Sequence, residues 1–475
     1  MNRTHLKTMI RMLSSVPVVP RVSIIGAGAA GFYAAMHLSK NVANIQIDLL
    51  EKLPVPFGLI RYGVAPDHPE VKNVINQFTK VAQHPNVNFY GNVTLGKDVS
   101  LNQLRQHYDA VLLCYGADED KALGIENEDA QNIIAARNFV GWYNGFPNDK
   151  DLKVDLSGHT MAILGQGNVA LDVARILLSP IDELKKTDIT EHALEIISES
   201  KVKEIYLIGR RGPLQVAFTI KELRELLKLK NCKTLWREQD FKGVSEIVGN
   251  LGRPRKRLTE LMLKSLQEQN QEGFIADQGL KYFKPIFFRS PIKFLISDKK
   301  LSGIKLSCNK LVGDTFDDQR CVPNGEVEEL DCSLALRSIG YKSIPVDKEL
   351  IFTSYGTIAN NKGIIIDNSC HSTDLGKLYV AGWLGTGPIG VILHTMGNAF
   401  QVAKVMCEDL KILNNSKPKG GFEEIRKIVT EKHNLIVDWH GWEKINRYEI
   451  EQGKMKGKPR EKICTIQEML EVAFR

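Results

Sequence analysis

Twice in its 475 residues the chain runs a short apolar strand into a glycine loop and then a helix, and this repetition constrains the fold more than any other feature. The first instance is Val22-Ser23-Ile24-Ile25 followed by Gly26-Ala27-Gly28-Ala29-Ala30-Gly31. A helix is expected from Phe32 to about Ser39, and then a strand from Ile45 to Leu50 that ends at Glu51. A βαβ unit of this kind holds a dinucleotide. Its first glycine permits a tight turn, its second lets the backbone approach a pyrophosphate at the helix N-terminus, and its third lets helix and strand pack closely. Gly26, Gly28 and Gly31 take those three roles, and Glu51 stands where a carboxylate accepts hydrogen bonds from ribose hydroxyls.

The second instance is Thr160-Met161-Ala162-Ile163-Leu164 leading into Gly165-Gln166-Gly167-Asn168-Val169-Ala170, with a helix expected to about Leu178. The next strand, Ile205 to Ile208, ends not at an acid but at Gly209-Arg210-Arg211-Gly212-Pro213. A carboxylate there would accept the 2′-hydroxyl of NAD and repel a 2′-phosphate; a pair of guanidinium forks does the reverse. One chain therefore carries two dinucleotide sites, and only the second selects a 2′-phosphate. The sensible division is FAD at the first and NADPH at the second, because a flavin accepts a hydride and releases electrons singly.

Late in the chain, Leu378-Tyr379-Val380-Ala381-Gly382-Trp383 reads as a further short strand ending in glycine, followed by Gly385-Thr386-Gly387-Pro388-Ile389-Gly390-Val391-Ile392. Two-dinucleotide flavoproteins close the FAD domain with such a return strand after the inserted NADPH domain. A helix after Gly390 would aim its N-terminus at the electron-rich end of the flavin. Trp383 stands where many of these proteins have an acid; a core position and stacking near the cofactor are both open to it.

Composition bounds the rest. Hydrophobic residues make up 43% and charged residues 25%, as in ordinary globular proteins, and no run of about 18 apolar residues is present to span a membrane. The first acidic residue is Asp48, whereas Arg3, Lys7 and Arg11 recur every four residues opposite Leu6, Met9, Ile10 and Leu13. A basic, acid-free, amphipathic start of this kind reads as a mitochondrial transit peptide over residues 1–20. The bland alternative is a basic tail. Three of the net seven positive charges belong to that segment, and the remaining four are too few to imply nucleic-acid binding without a clustered patch. None of the eight cysteines is spaced as CxxC or CxxxxC, which argues against a zinc or other metal site and against a local redox disulfide. A reducing compartment with structural thiols fits best.

Long segments resemble the adrenodoxin reductase family. They are PFGLIRYGVAPDHPEVKNVIN (Pro56 to Asn76), FVGWYNG (Phe139 to Gly145), ILGQGNVALDVARIL (Ile163 to Leu177), IGRRGPLQVAFTIKELREL (Ile208 to Leu226), RPRKRLTEL (Arg253 to Leu261), FFRSP, SIGYKS, GWEKIN and GKPREK. The resemblance covers nearly everything after the presumed presequence. It implies an FAD enzyme of the mitochondrial matrix that takes hydride from NADPH and passes single electrons to a two-iron ferredoxin. That ferredoxin serves monooxygenases of steroid metabolism, or iron–sulfur and haem biosynthesis. Peripheral association with the inner mitochondrial membrane stays open.

By matched position, the resemblance implies FAD contacts at Ala30, Glu51, Leu59, Leu95, Trp383, Gly390, Val391 and Ile392. It implies NADP contacts at Gly165, Gln166, Gly167, Asn168, Arg210, Arg211, Glu222 and Gly390. It places His68 and Asp172 as a polar pair near the flavin, and Arg224, Arg253 and Arg257 as the basic residues that meet an acidic ferredoxin. Ala29, where the family often has proline, and the stretch Leu384-Gly385-Thr386 depart from the pattern.

The expected fold is α/β: two Rossmann-like domains, with an NADPH-binding domain (119–344) inserted into a split FAD-binding domain (21–118 and 345–475). Two other functions compete. A reductase module like the small subunit of glutamate synthase would carry an N-terminal cysteine-rich region, whereas no cysteine precedes Cys114. A slow NADPH-sensing FAD protein is separated from a reductase only by turnover with an added ferredoxin.

Overall fold

The computed structural model describes residues 19–272, 279–313, 318–366, 374–412, 417–432 and 435–475. Residues 1–18, which carry the expected targeting pattern, lie outside them. Two parallel sheets organise the molecule. The first runs in the order 360–361, 364–365, 377–380, 110–113, 21–25, 46–51, 87–91; its centre is parallel, and the edge made by 360–365 is antiparallel. The second runs 133–135, 334–337, 160–164, 204–208, 281–286, 232–234 with every pairing parallel. In each sheet the fingerprint strand is central and almost wholly buried, which is why it reads as a continuous apolar run. The expected helix after the first loop spans Ala29–Asn41 and the second spans Asn168–Leu178.

The return strand Lys377–Val380 lies against Ala110–Leu113 in the first sheet, so residues more than 260 positions apart in the chain share one core. The C-terminal helices Phe422–Glu431, Trp439–Met455 and Ile466–Phe474 also cover this sheet, bringing Ile425, Trp442, Ile445 and Val472 into its cores. Where the chain crosses between the sheets, Glu119–Asp120 pairs antiparallel with Tyr341–Lys342.

A third, antiparallel layer of Arg289–Ser297, Lys300–Val312 and Arg320–Asp331 flanks the second sheet. No strand was anticipated there. Its apolar face, Phe294, Leu301, Ile304 and Leu306, packs with Ile133, Ala162 and Ile208 of the parallel sheet.

Charge ties the C-terminal segment to both halves. Lys462 and Lys72 meet Asp188 at 3.1 and 2.6 Å, and Arg61 and Arg460 meet the fully buried Glu449. Burial would raise the Asp188 carboxyl, but the Lys462 and Lys72 ammoniums override it and hold the group below the usual carboxylate range.

Candidate functional site

The first glycine loop has the geometry of a phosphate cradle. A Cβ on Gly26, which has φ +108°, would stand 2.6 Å from the Cys114 carbonyl oxygen, and one on Gly31 would stand 2.1 Å from the Gly26 carbonyl oxygen. Both positions therefore demand glycine. At Gly28, the N-cap of the 29–41 helix, a Cβ would meet nothing within 4 Å, so the backbone there faces open space. Glu51 closes the loop from the end of its strand: Ala27 N–H donates to Oε2 at 2.9 Å and Leu53 N–H to Oε1 at 3.2 Å. Burial raises its pKa, opposed by Lys52 and the two backbone donors.

Two other segments converge on this loop. Phe57 N–H donates to the Ala27 carbonyl at 2.8 Å, and a Cβ on Gly58 would lie 3.3 Å from the Gly28 Cα, so the 56–59 turn rests on the loop and presents the half-exposed Leu59. From the return strand, Gly382 (φ +67°) comes so near that a Cβ would lie 2.8 Å from the Ala30 Cβ. Beyond it, Trp383–Thr386 forms a helical turn, and the long helix Ile392–Leu410 starts after Gly390 and Val391. Ile389, Val391 and Leu393 leave exposed apolar surface at that helix start. Trp383 is half-buried and stacks on Tyr341 with ring centroids 5.7 Å apart, so it is not a core tryptophan. Leu95 is buried in the core below, with Val380 and Leu384.

The second loop repeats the design. A Cβ on Gly165 (φ +128°) would stand 2.1 Å from the Ser338 carbonyl oxygen, whereas one on Gly167, N-cap of the 168–178 helix, would meet nothing within 4 Å. Asn168 Oδ1 accepts from Thr219 N–H at 2.8 Å. The Gln166 side chain lies on Gly209, and its buried Nε2 has no partner among the described residues. Both cradles therefore fit the pyrophosphate of a dinucleotide: an open backbone at a helix N-terminus, with the glycine that begins each loop forced by contact.

Arg210 and Arg211 are exposed at the end of the 204–208 strand, and among the described residues neither meets a carboxylate. Their backbone is held by the antiparallel layer. The Arg210 carbonyl accepts from Asn309 Nδ2 at 3.2 Å and Cys321 Sγ at 3.0 Å, and the Arg211 carbonyl accepts from Phe288 N–H at 3.3 Å. The unanticipated third layer thus helps to fix the backbone of the arginine pair.

Between the two sheets lies a cluster that the sequence pointed to only in part. His68, Asp172 and Glu222 offer ligand atoms within 4.8 Å of one another, so the expected polar pair is brought together with a residue expected at the nicotinamide nucleotide. Arg175, almost fully buried, ties the carboxylates together: it donates to Asp67 at 2.6 and 3.0 Å, to Asp172 at 2.7 Å and to Glu222 at 3.2 Å. His68 Nε2–H donates to Glu225 at 2.6 Å. Burial, and then the charge of Asp172, push the Glu222 carboxyl up to about 8 against the pull of Arg175. Asp67, Arg175 and Glu225 were not anticipated. The available signal was spacing: Asp172 with Arg175, and Glu222 with Glu225, are three apart on helices and share a face.

The opposite face of the 220–227 helix exposes Arg224, and that helix packs against Arg253–Glu272, which exposes Arg253 and Arg257. None of these three arginines has a carboxylate partner among the described residues. The described cysteines are all free, and burial raises the thiols of Cys114 and Cys332, which keeps both protonated. No helix of the described residues is long and apolar enough to cross a membrane.

A family model described as pyridine nucleotide-disulphide oxidoreductase matches residues 20–218. The mitochondrial NADPH:adrenodoxin oxidoreductase of Drosophila melanogaster is 52% identical over 468 residues, covering 98% of this chain and 96% of the relative. The Homo sapiens protein of the same name is 45% identical over 462 residues, covering 95% and 91%. Among solved structures, Mycobacterium tuberculosis FprA in complex with NADPH superposes with a TM-score of 0.89 at 34% identity, covering 96% of this chain and all of that one.

Proposed function

The chain belongs to the NADPH:adrenodoxin oxidoreductase family, and from that premise we propose that it is an FAD enzyme that takes hydride from NADPH and delivers single electrons to an acidic two-iron ferredoxin. The observation that carries this reading is the pair of glycine cradles, one ending in Glu51 and the other in Arg210-Arg211. When bound, FAD accepts the hydride pair and gives electrons up one at a time.

The chain's own part is largely positioning. The 26–31 loop takes the FAD pyrophosphate, Glu51 the ribose, and Ala30, Leu59, Leu95, Trp383 and Gly390 to Ile392 the remainder of that nucleotide. The 165–168 loop takes the NADPH pyrophosphate, with Gln166 Nε2 left to donate to it, and Arg210 and Arg211 hold the 2′-phosphate. His68, Asp172 and Glu222 stand beside the reacting rings. Glu222, its carboxyl raised by burial and by the charge of Asp172, lies next to the hydrogen bond between His68 and Glu225. Arg224, Arg253 and Arg257 receive the ferredoxin. The domain boundaries follow the sheets: 21–118 with 345–475 for FAD, and 119–344 for NADPH, supported by the Glu119–Lys342 pairing where the chain crosses. Full-length similarity to NADPH:adrenodoxin oxidoreductases disfavours a glutamate-synthase-like module.

The test is cytochrome c reduction by NADPH. The rate is expected to depend on an added two-iron ferredoxin and to saturate with it. An equal rate without ferredoxin would overturn the acceptor assignment, and a negligible rate with it would favour a slow NADPH sensor.

The ferredoxin's downstream partners are monooxygenases or the iron–sulfur and haem pathways, in the mitochondrial matrix. The relatives' names and the basic, acid-free start support the compartment. Residues 1–25 fused to a fluorescent protein are expected to carry it into mitochondria and to protect it from protease when only the outer membrane is opened. A cytosolic reporter would reduce the segment to a basic tail.

A further inference from the structure

We infer that Arg255 is a third guanidinium of the site that reads the NADPH 2′-phosphate, set between two arginines that face the other way. The inference rests on the reading of Arg210 and Arg211 as the phosphate pair. Arg253 and Arg257 are one turn apart on the 253–272 helix and both are exposed. Arg255 lies about 200° around the helix from Arg253, so it points to the opposite side, and it is half-buried. That side packs on the Pro213–Gln215 turn, directly after Arg210-Arg211-Gly212.

Arg255 Nη1 donates to the Val216 carbonyl at 2.5 Å, which fixes the plane of the fork and leaves its other N–H groups for a ligand. Among the described residues no carboxylate pairs with Arg255, Arg210 or Arg211. Burial, and then the charge of Arg211, both disfavour the protonated form of Arg255. A half-buried cation held against a like charge, with only a carbonyl for company, is a poor arrangement unless an anion joins it. A phosphate dianion beside Arg211 supplies that anion, with oxygens enough for three guanidiniums. The same helix then serves both substrates: the nucleotide through Arg255 on its inner side, the ferredoxin through Arg253 and Arg257 on its outer side.

The test titrates the FAD-loaded enzyme with 2′,5′-ADP and with 5′-AMP, which differ only in the phosphate in question. For Arg255→Gln, 2′,5′-ADP is expected to bind roughly ten- to a hundredfold more weakly, as the removal of one charge-assisted hydrogen bond implies, with 5′-AMP within about twofold of wild type. Arg255→Lys, which keeps the charge but not the fork, should fall between. Unchanged 2′,5′-ADP binding overturns the inference. So does an equal loss for both nucleotides, which marks a structural role, or a loss confined to ferredoxin affinity, which assigns Arg255 to docking. If Arg255→Gln loses its flavin, Arg255→Lys decides on the same two ratios. The parent reading fails separately, if Arg210→Ala with Arg211→Ala leaves 2′,5′-ADP binding unchanged.

Discussion

NADPH is expected to bind roughly a hundredfold more weakly to the Arg210→Ala, Arg211→Ala double variant, while NADH changes by less than about threefold. On the proposed reading each arginine grips the phosphate with a charge-assisted fork, so removing either one should cost about tenfold in affinity or more. The effect should sit mostly in the KM for NADPH, because the phosphate is remote from the nicotinamide and is held alike in ground and transition states. The two arginines share one ligand, so their single-variant effects need not add, and a double-mutant cycle measures the coupling. Steady-state ferricyanide reduction with each nucleotide gives the answer. An equal fall for NADPH and NADH would mean that the pair supports the loop rather than reads the phosphate.

That site shows which parts of the molecule were legible in the sequence. The arginine pair, the glycines and Glu51 were legible because a strand, a turn and a helix N-terminus within some 30 residues build the cradle locally, and each role demands a residue type. The support for the pair was not. Asn309 and Cys321 lie on an antiparallel layer about 100 residues away, and nothing near Arg210 announces that its carbonyl is held from there. The layer left a trace, since Leu301, Ile304 and Leu306 bury one face of the Lys300–Val312 strand, but bulges at its pairings interrupt a strict two-residue alternation. Arg175 was hidden for a related reason. Inside a mostly apolar helix it reads as a surface residue, and its burial rests on carboxylates gathered from both halves: Asp67 from one, Asp172 and Glu222 from the other. The family resemblance supplied Leu59, Leu95 and the His68–Asp172 pair, which no local pattern would have singled out.

The proposed protein acceptor leads to the second large effect. Every described cysteine is free and the sequence has no CxxC or CxxxxC pair, which agrees with delivery of electrons to an external partner. Arg253 and Arg257 stand exposed on one face of the 253–272 helix, Arg224 is exposed on the helix packed against it, and among the described residues no carboxylate neutralises them. Such a patch accelerates encounter with an acidic protein and is screened by salt over a Debye length of about 8 Å at physiological ionic strength. Arg253→Glu with Arg257→Glu replaces two attractions by two repulsions. The kcat/KM for ferredoxin in cytochrome reduction is therefore expected to fall roughly a hundredfold or more at low salt, with the deficit narrowing as salt rises. Ferricyanide reduction should change by less than about twofold, since a small acceptor needs no docking face. Wild-type turnover at subsaturating ferredoxin should itself decline with salt. A parallel loss of both activities would point to misfolding or flavin loss, and full ferredoxin activity in the double variant would move the docking face elsewhere on the molecule.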